Sequence, residues 1–321
     1  MKVHIEDIRG IVGIVPTPAT ADADQWDCRN SINFAQTQRM IEAVVSDGIE
    51  IVMTTGTFGE GATVTETELR DYVRCVVEAV NGRVPVFAGI TTLNTRDTIR
   101  RGRELLDLGA DGLFVGRPMW LPLDQVGIVS YYQDLAEAFR NVSLIVYDNP
   151  FAFKGKISRE AYRELARIRE VVASKHVGGP SLEDDLLAVG MDLRLLPLET
   201  DWCSLAQRHP DLATACWSGS VACAPAPFAA LSRAILSRDW PRAEALTAKI
   251  RAALAPMFPS GDLEAFMTYS IQLGHARFNA AGLVDVGPCR PPYTAVPVDL
   301  LAGAEETGRM LARLQREMSG A

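Results

Sequence analysis

The order of its segments is the feature that most constrains the fold of this 321-residue chain. Short runs rich in Val, Ile and Leu alternate with segments of helical pattern, and the alternation continues through eight repeats. The runs are continuously apolar, as expected of parallel strands that are covered on both faces. They occupy residues 10–18, 49–55, 84–90, 112–116, 143–147, 171–178, 193–198 and 214–217. Eight such units in about 230 residues predict an α/β fold, a (β/α)₈ barrel, with a doubly wound open sheet as the alternative.

The helical segments carry recognisable start signals, and they continue after the strands have ended. Ser31 is the expected N-cap of a helix over 31–47, and Thr65 with Glu68 forms a capping-box pattern for the next helix. Beyond residue 222 the sequence predicts helices over 223–237, 240–255, 261–281 and 299–318. We therefore expect a barrel over residues 1–236 that carries the active site, followed by a C-terminal helical region over residues 237–321.

Charge and composition exclude several classes of function. The net charge of −8 argues against a nucleic-acid partner, because phosphate binding requires a basic surface. No apolar run approaches about 18 residues, so no membrane span is expected. The six cysteines form no C-x-x-C pair and the four histidines lack metal-ligand spacing, so we expect reduced cysteines, no metal and a cytoplasmic protein.

One lysine stands out because it lies inside an apolar strand. The chain has only five lysines, and Lys175 ends the run Val-Val-Ala-Ser-Lys. A buried lysine has a lowered pKa, and its neutral amine attacks carbonyl groups to form Schiff bases. Taken alone, a lysine at this position is more often the exposed end of an edge strand that points into solvent.

The other unusual polar residues also follow predicted strands, at the edge where barrel active sites are built. Thr57 follows the second strand, Tyr147 and Asn149 end the fifth, and Trp217 ends the eighth. The turn Gly-Thr-Phe-Gly can offer a hydroxyl and successive N–H groups to a carboxylate, and Tyr147 can transfer protons. Alternatively, the Gly-Thr-Phe-Gly segment is a turn without a binding role, and Tyr147 is an aromatic ring that only packs at a strand end. Trp120 is either a core residue or part of an aromatic-binding mouth.

These motifs together resemble the dihydrodipicolinate synthase/N-acetylneuraminate lyase superfamily. The resemblance rests on Gly-Thr-x-Gly-Glu over 56–60, Tyr-x-x-Pro over 147–150 and Lys175, and it extends over essentially the whole chain. It implies a TIM barrel with a C-terminal helical extension, a tetramer, and an imine between Lys175 and pyruvate without any cofactor or metal. The sequence departs from the family in two places. Pro-Met-Trp stands at 118–120, where the synthase and the lyase place a tyrosine. Phe151 follows the Tyr-x-x-Pro motif, and the arginine that the synthase has just after this motif is missing.

Further motifs are similar to the trans-o-hydroxybenzylidenepyruvate hydratase-aldolase branch. They are Leu-Asn-Thr-Arg (93–96), Pro-Met-Trp (118–120), Asn-Pro-x-Ala-Phe-Lys (149–154), Phe-Pro-x-Gly-Asp (258–262) and Gly-Pro-Cys-Arg-Pro-Pro-Tyr (287–293). The resemblance implies cleavage of an arylidene pyruvate, such as trans-o-hydroxybenzylidenepyruvate or trans-2′-carboxybenzalpyruvate, to an aromatic aldehyde and pyruvate. Gly61 is a departure, since a cysteine is common there in the branch.

The resemblance also implies roles for individual residues. Lys175 is the expected nucleophile and Tyr147 the proton shuttle. Thr57 and the N–H of Phe58 are expected to bind the substrate carboxylate, and Asn149, Trp217, Asn279 and Trp120 to position water or the aryl group. Two other functions stay open: a pyruvate-dependent lyase acting on a sugar acid or another 2-keto acid, and a ligand-binding barrel without catalysis. The sequence does not specify the ring substituent.

Overall fold

The strands predicted from the sequence form one closed sheet. The structure is a computed structural model that describes residues 2–258 and 263–319. Its strands are β1 (Gly10–Ile14), β2 (Ile51–Met53), β3 (Val86–Gly89), β4 (Gly112–Val115), β5 (Ser143–Tyr147), β6 (Val171–Lys175), β7 (Arg194–Leu196) and β8 (Ala215–Ser218). All paired neighbours are parallel in the order β7-β6-β5-β4-β3-β2-β1-β8, and a bridge between Leu198 and Trp217 joins the two ends. The predicted barrel is thus confirmed, and the open-sheet alternative is wrong.

The helices surround the sheet and then continue beyond it. Those between and after the strands are α1 (Phe34–Ser46), α2 (Glu66–Val80), α3 (Thr95–Asp107), α4 (Gln125–Ala138), α5 (Arg159–Leu165), α6 (Leu182–Val189), α7 (Glu199–Arg208) and α8 (Pro225–Leu236). The C-terminal helices are α9 (Trp240–Leu254), α10 (Leu263–Thr268), α11 (Ser270–Ala281) and α12 (Val298–Ser319). None of the helices among the described residues is both long and apolar enough to cross a membrane.

Both faces of each strand are buried, which explains the continuous apolar runs. In β1, Val12 and Ile14 point into the barrel with Phe87 and Phe114, whereas Ile11 packs against the surrounding helices. Successive side chains of a strand point to opposite faces, so a strand covered on both sides has no polar face. The inner and outer cores together fix the directions of the side chains at the strand ends.

Two predicted helix boundaries are wrong. Ser31 does not cap α1, because its N–H and hydroxyl both donate to Glu68 Oε1, at 2.7 and 2.6 Å; Asn33 caps the helix instead. The helix predicted over 261–281 is interrupted by a turn at Tyr269, which separates α10 from α11. Its first two residues, and most of the motif over 258–262, lie outside the described residues. The capping box of Thr65 and Glu68 is present as predicted.

Candidate active site

Lys175 lies in the barrel interior at the C-terminal end of β6. Its side chain is 6% exposed, and its Nζ lies 3.8 Å from the centre of the Trp217 ring and 5.1 Å from that of Tyr147. Burial lowers the pKa of Lys175 to about 8, while the carboxylates of Asp148 and Glu199 oppose the shift by favouring the ammonium form. A substantial fraction of the amine is therefore neutral near physiological pH, as a nucleophile requires.

A hydroxyl pair stands next to this amine. Tyr147 is the register partner of Lys175 on β5, and its Oη lies 2.5 Å from Thr57 Oγ1. The Thr57 N–H donates to the same Oη at 3.3 Å, and Asn149 Nδ2 donates to it at 3.3 Å. The ring of Tyr147 stacks on Phe114 with centroids 4.6 Å apart. Packing and hydrogen bonds thus fix the phenol beside Lys175.

A buried ion pair supports the β4 and β5 ends. Arg117 Nη1 donates to Asp148 Oδ1 at 2.9 Å, and both side chains are almost completely buried. Arg117 Nη2 also donates to the Gly155 carbonyl, and the Tyr162 hydroxyl donates to Asp148 Oδ2 at 3.3 Å. The pair holds a carboxylate near Lys175, where it keeps the pKa of the amine from falling further.

A largely apolar cavity of about 340 Å³ opens from Lys175 toward the C-terminal helices. Thr57, Tyr147, Asn149 and Trp217 line the end near the lysine. Phe58, Leu254, Met257, Phe258, Phe266 and Met267 are among the residues that line the rest. The cavity therefore combines one polar end with an apolar chamber that suits a flat aromatic group.

Two residues predicted to bind substrate lie elsewhere. Trp120 is 74% exposed in the loop after β4 and is not part of the cavity wall. Asn279 is exposed on α11, where its amide donates to the Gly287 carbonyl at 3.1 Å and accepts from Val286 N–H at 2.8 Å. Asn279 therefore fastens the loop after α11, because its side chain leaves the helix on the face away from the cavity.

Two buried charged residues of the cavity wall were missed by sequence reasoning. Arg277 on α11 is 3% exposed, donates to the Gly219 carbonyl at 2.7 Å and to Ser220 Oγ at 3.0 Å, and lies 5.2 Å from the Phe58 ring centre. Glu199 is 3% exposed at the start of α7. Glu199 follows a strand end, so the positional rule that singled out Lys175 would have found it. Nothing in the sequence distinguishes Arg277 from the many other arginines.

A second cluster of titratable groups lies next to the turn after β2, the turn that contains Thr57. Glu60, His275 and Cys289 place one potential ligand atom each within 4.8 Å of one another. Arg290 Nη1 forms an ion pair with Glu60 Oε2, and His275 Nε2 lies 3.1 Å from that oxygen. Although burial opposes it, hydrogen bonding to Cys289 and Glu60 raises the pKa of His275 to about 10. Glu60 is thus already neutralised by two cations, and the cluster ties the loop around Arg290 to the turn after β2.

Sequence comparisons place this chain among known proteins. The sequence profile of the dihydrodipicolinate synthetase family matches residues 11–300. The trans-2′-carboxybenzalpyruvate hydratase-aldolase of Nocardioides sp. (strain KP7) is 46% identical over 97% of this chain and 95% of its own length. The trans-O-hydroxybenzylidenepyruvate hydratase-aldolase of Pseudomonas aeruginosa is 42% identical over 99% of this chain and 96% of its own.

Solved structures agree with the sequence comparisons. PhdJ bound to a substrate intermediate superposes with a TM-score of 0.97 at 52% identity, covering 99% of both chains. The dihydrodipicolinate synthase of Acinetobacter baumannii in complex with pyruvate superposes with a TM-score of 0.77 at 21% identity, covering 94% of this chain and 99% of its own, a likeness of fold alone. The profile match over most of the chain and the two full-length relatives show that this chain belongs to the dihydrodipicolinate synthetase family.

Proposed function

We propose that this protein is a class I hydratase-aldolase that cleaves an arylidene pyruvate, with water, to an aromatic aldehyde and pyruvate. The observation that carries the proposal is the buried Lys175 amine, next to the Tyr147–Thr57 hydroxyl pair and at the polar end of an otherwise apolar cavity. The relatives of 46% and 42% identity are named for such reactions, on a carboxylated and a hydroxylated ring respectively.

The polar end of the cavity fits the pyruvyl group. The Thr57 hydroxyl and the N–H of Phe58 would bind the carboxylate, as expected from the turn after β2. The keto carbon would then face Lys175 Nζ, and the Tyr147 hydroxyl would move protons as the carbinolamine loses water. Asn149 keeps the phenol oriented through its hydrogen bond to Oη.

The imine then drives the remaining steps. Lys175 nitrogen displaces the keto oxygen as water, which gives an iminium conjugated with the C=C bond. Water adds at the benzylic carbon, and the C=C electrons move toward the iminium to form an enamine. A proton added to the enamine carbon restores the iminium. Loss of the benzylic hydroxyl proton then breaks the C–C bond, which releases the aldehyde and leaves the pyruvate enamine. Protonation and hydrolysis release pyruvate and regenerate the amine.

The residues of the cavity favour cleavage of an aryl substrate over the two other functions, which are cleavage of a sugar acid and ligand binding without catalysis. A sugar acid needs hydrogen-bond partners for its hydroxyl groups, whereas Met257, Phe258 and Phe266 form an apolar wall. A non-catalytic ligand-binding barrel has no need of a buried lysine with a lowered pKa beside a fixed phenol.

Surface features support the expectation of a homo-oligomer. Trp120 and Leu121 in the loop after β4 and Val126 at the start of α4 are close in sequence and have exposures of 74%, 70% and 75%; we term these three residues the β4-loop patch. Lys154 Nζ holds the loop by donating to the Trp120 carbonyl at 2.7 Å. Large apolar side chains grouped on an ordered surface are typical of interfaces. We propose that a second copy of this chain covers the patch.

Borohydride trapping tests the proposed function. Reduction in the presence of pyruvate should add one reduced pyruvyl group to the peptide that contains Lys175. Lys175→Arg should abolish the adduct, since a guanidinium does not form the imine. Lys156→Arg is the matched control, because Lys156 is exposed, and it should be labelled like the wild type. An adduct on another lysine, or none under conditions where the protein is folded, would contradict the proposal.

A further inference from the structure

The active-site cavity contains a buried acid that the steps above leave without a role. Glu199 is the first residue of α7, lines the same cavity as Lys175 and is 3% exposed. Its Oε2 has no hydrogen-bond partner within the part of the chain that the structure describes. A buried carboxyl oxygen without a partner costs free energy of folding, so its presence in the same cavity as a reactive amine calls for a functional explanation.

Backbone pairing places Glu199 next to the lysine, on the side away from the hydroxyl pair. Leu196 of β7 is the register partner of Lys175, and Leu198 bridges to Trp217, whose ring covers the amine. Tyr147 belongs to β5, the other neighbour of β6. A substrate bound through its carboxylate near Thr57 would therefore direct its benzylic carbon away from Tyr147 and toward the β7 side.

The surroundings of Glu199 suit a group that gains and loses a proton. Burial raises its pKa to about 7; Arg277 and the Ser218 hydroxyl favour the carboxylate, whereas Asp201 favours the acid. The charged and titratable groups around it, or on the same cavity wall, are Tyr147 from β5, Lys175 from β6, Cys216 from β8, Arg251 from α9, Arg277 from α11 and Asp201 from α7 itself. An acid–base group works best when its pKa lies near the working pH.

We propose that Glu199 is the acid–base residue at the benzylic carbon, acting in both the hydration and the cleavage step. This assignment rests on the proposed hydratase-aldolase function. The contacts of Tyr147 with Thr57 and Asn149 hold its hydroxyl near the imine. A second acid–base group is therefore needed at the benzylic carbon, at the other end of the conjugated system.

The proton transfers balance without any further reactant. As the water oxygen bonds to the benzylic carbon, its proton passes to the Glu199 carboxylate and the C=C electrons form the enamine. The resulting acid returns that proton to the enamine carbon. In the cleavage step the carboxylate takes the proton of the benzylic hydroxyl, the C–C bond breaks toward the iminium, and the acid again protonates the enamine. Glu199 ends each cycle ionised.

The test compares Glu199→Gln with the wild type on trans-2′-carboxybenzalpyruvate and trans-o-hydroxybenzylidenepyruvate. Turnover should fall by about 10²–10⁴-fold on whichever compound the wild type cleaves. Pyruvate trapping at Lys175 should not slow, because the variant removes one carboxylate that favours the ammonium form. Below pH 7 the wild type must lose two protons to act, so log kcat/KM should rise with a slope of about two, and with a slope of about one in the variant.

Two further variants keep the outcome decisive. Glu199→Asp retains an ionisable group. It should keep part of the wild-type turnover and the wild-type slope of log kcat/KM against pH. Asp201→Asn removes the same charge from the same helix without touching the cavity wall, and should retain turnover. Unchanged turnover and slope in Glu199→Gln would overturn the proposal, and so would loss of pyruvate trapping, which would indicate that Glu199 only positions Lys175. Absence of trapping in the wild type would instead contradict the proposed function itself.

Discussion

Burial and neighbours, rather than residue type, make one lysine of this chain reactive. Lys154 and Lys156 are exposed, whereas Lys175 is enclosed by the Tyr147 and Trp217 rings. The strand pattern and the position at a strand end were visible in the sequence. The contact between Tyr147 and Thr57 was not, because it joins residues 90 positions apart and depends on how β2 and β5 face each other across the barrel.

The lowered pKa of Lys175 predicts how imine formation depends on pH. The neutral amine is the nucleophile, so the rate of pyruvate imine formation should rise through a midpoint of about 8 and level off above it. Single-turnover borohydride trapping between about pH 6 and pH 10 measures this profile. A midpoint near 10.4, the ordinary value for lysine, would show that the amine is solvated and that burial does not tune it.

At the scale of elements, the strands were easier to predict than the C-terminal helices. Each strand is a continuous apolar run closed by turn residues, and this local pattern survives in the fold. The sequence over 261–281 has one helical pattern, but its described part, from residue 263 onward, folds as α10 and α11, since Tyr269 forms a turn between them. α11 packs closely on α12 and carries Arg277 into the cavity wall. Its orientation depends on tertiary packing that periodicity does not encode.

The close approach of α12 to α11 depends on Gly308. A Cβ there would lie 2.2 Å from the Arg277 carbonyl oxygen and 2.9 Å from Ala280 Cβ. Gly308→Ala gains about 1 kcal/mol of helix propensity. The clash should nevertheless lower the free energy of unfolding by about 1–3 kcal/mol, as is typical of an overpacked contact. Urea unfolding measures the change.

The matched control for this prediction is Ala302→Leu, which adds bulk to the exposed face of the same helix with little loss of helix propensity. It should leave the urea midpoint nearly unchanged. If Gly308→Ala proved as stable as the wild type, α11 and α12 could move apart without a loss of folding free energy, and the close contact at Gly308 would not be needed for stability.

At the scale of the whole molecule, the barrel and the C-terminal helices share one active site. Phe58 packs against the barrel core and against the cluster formed by Met257, Phe266 and Leu273. The boundary between residues 236 and 237 stays a prediction, because α9 packs on α7 and α8 while α12 reaches back to α8. The C-terminal region completes the chamber that the barrel begins.

The β4-loop patch predicts self-association. The wild type should sediment as an oligomer, and Trp120→Glu should shift it toward the mass of a single chain, because a charge at an apolar interface is costly to bury. Trp26→Glu is the matched control: Trp26 is 89% exposed in a different loop, and its replacement should leave the assembly intact. Sedimentation velocity distinguishes these outcomes. A monomeric wild type, or an intact oligomer in Trp120→Glu, would contradict the proposed interface.

The sequence by itself determined the repeated strand–helix order, the placement of Lys175, Tyr147, Thr57 and Asn149 at strand ends, and the family to which they belong. These features are local, since each depends on a short run of residues and its neighbours. Only the tertiary structure decided that Trp120 and Asn279 lie outside the cavity and that Glu199 and Arg277 lie in its wall. Those positions follow from how distant elements pack, and burial then sets which side chains are charged and which are reactive.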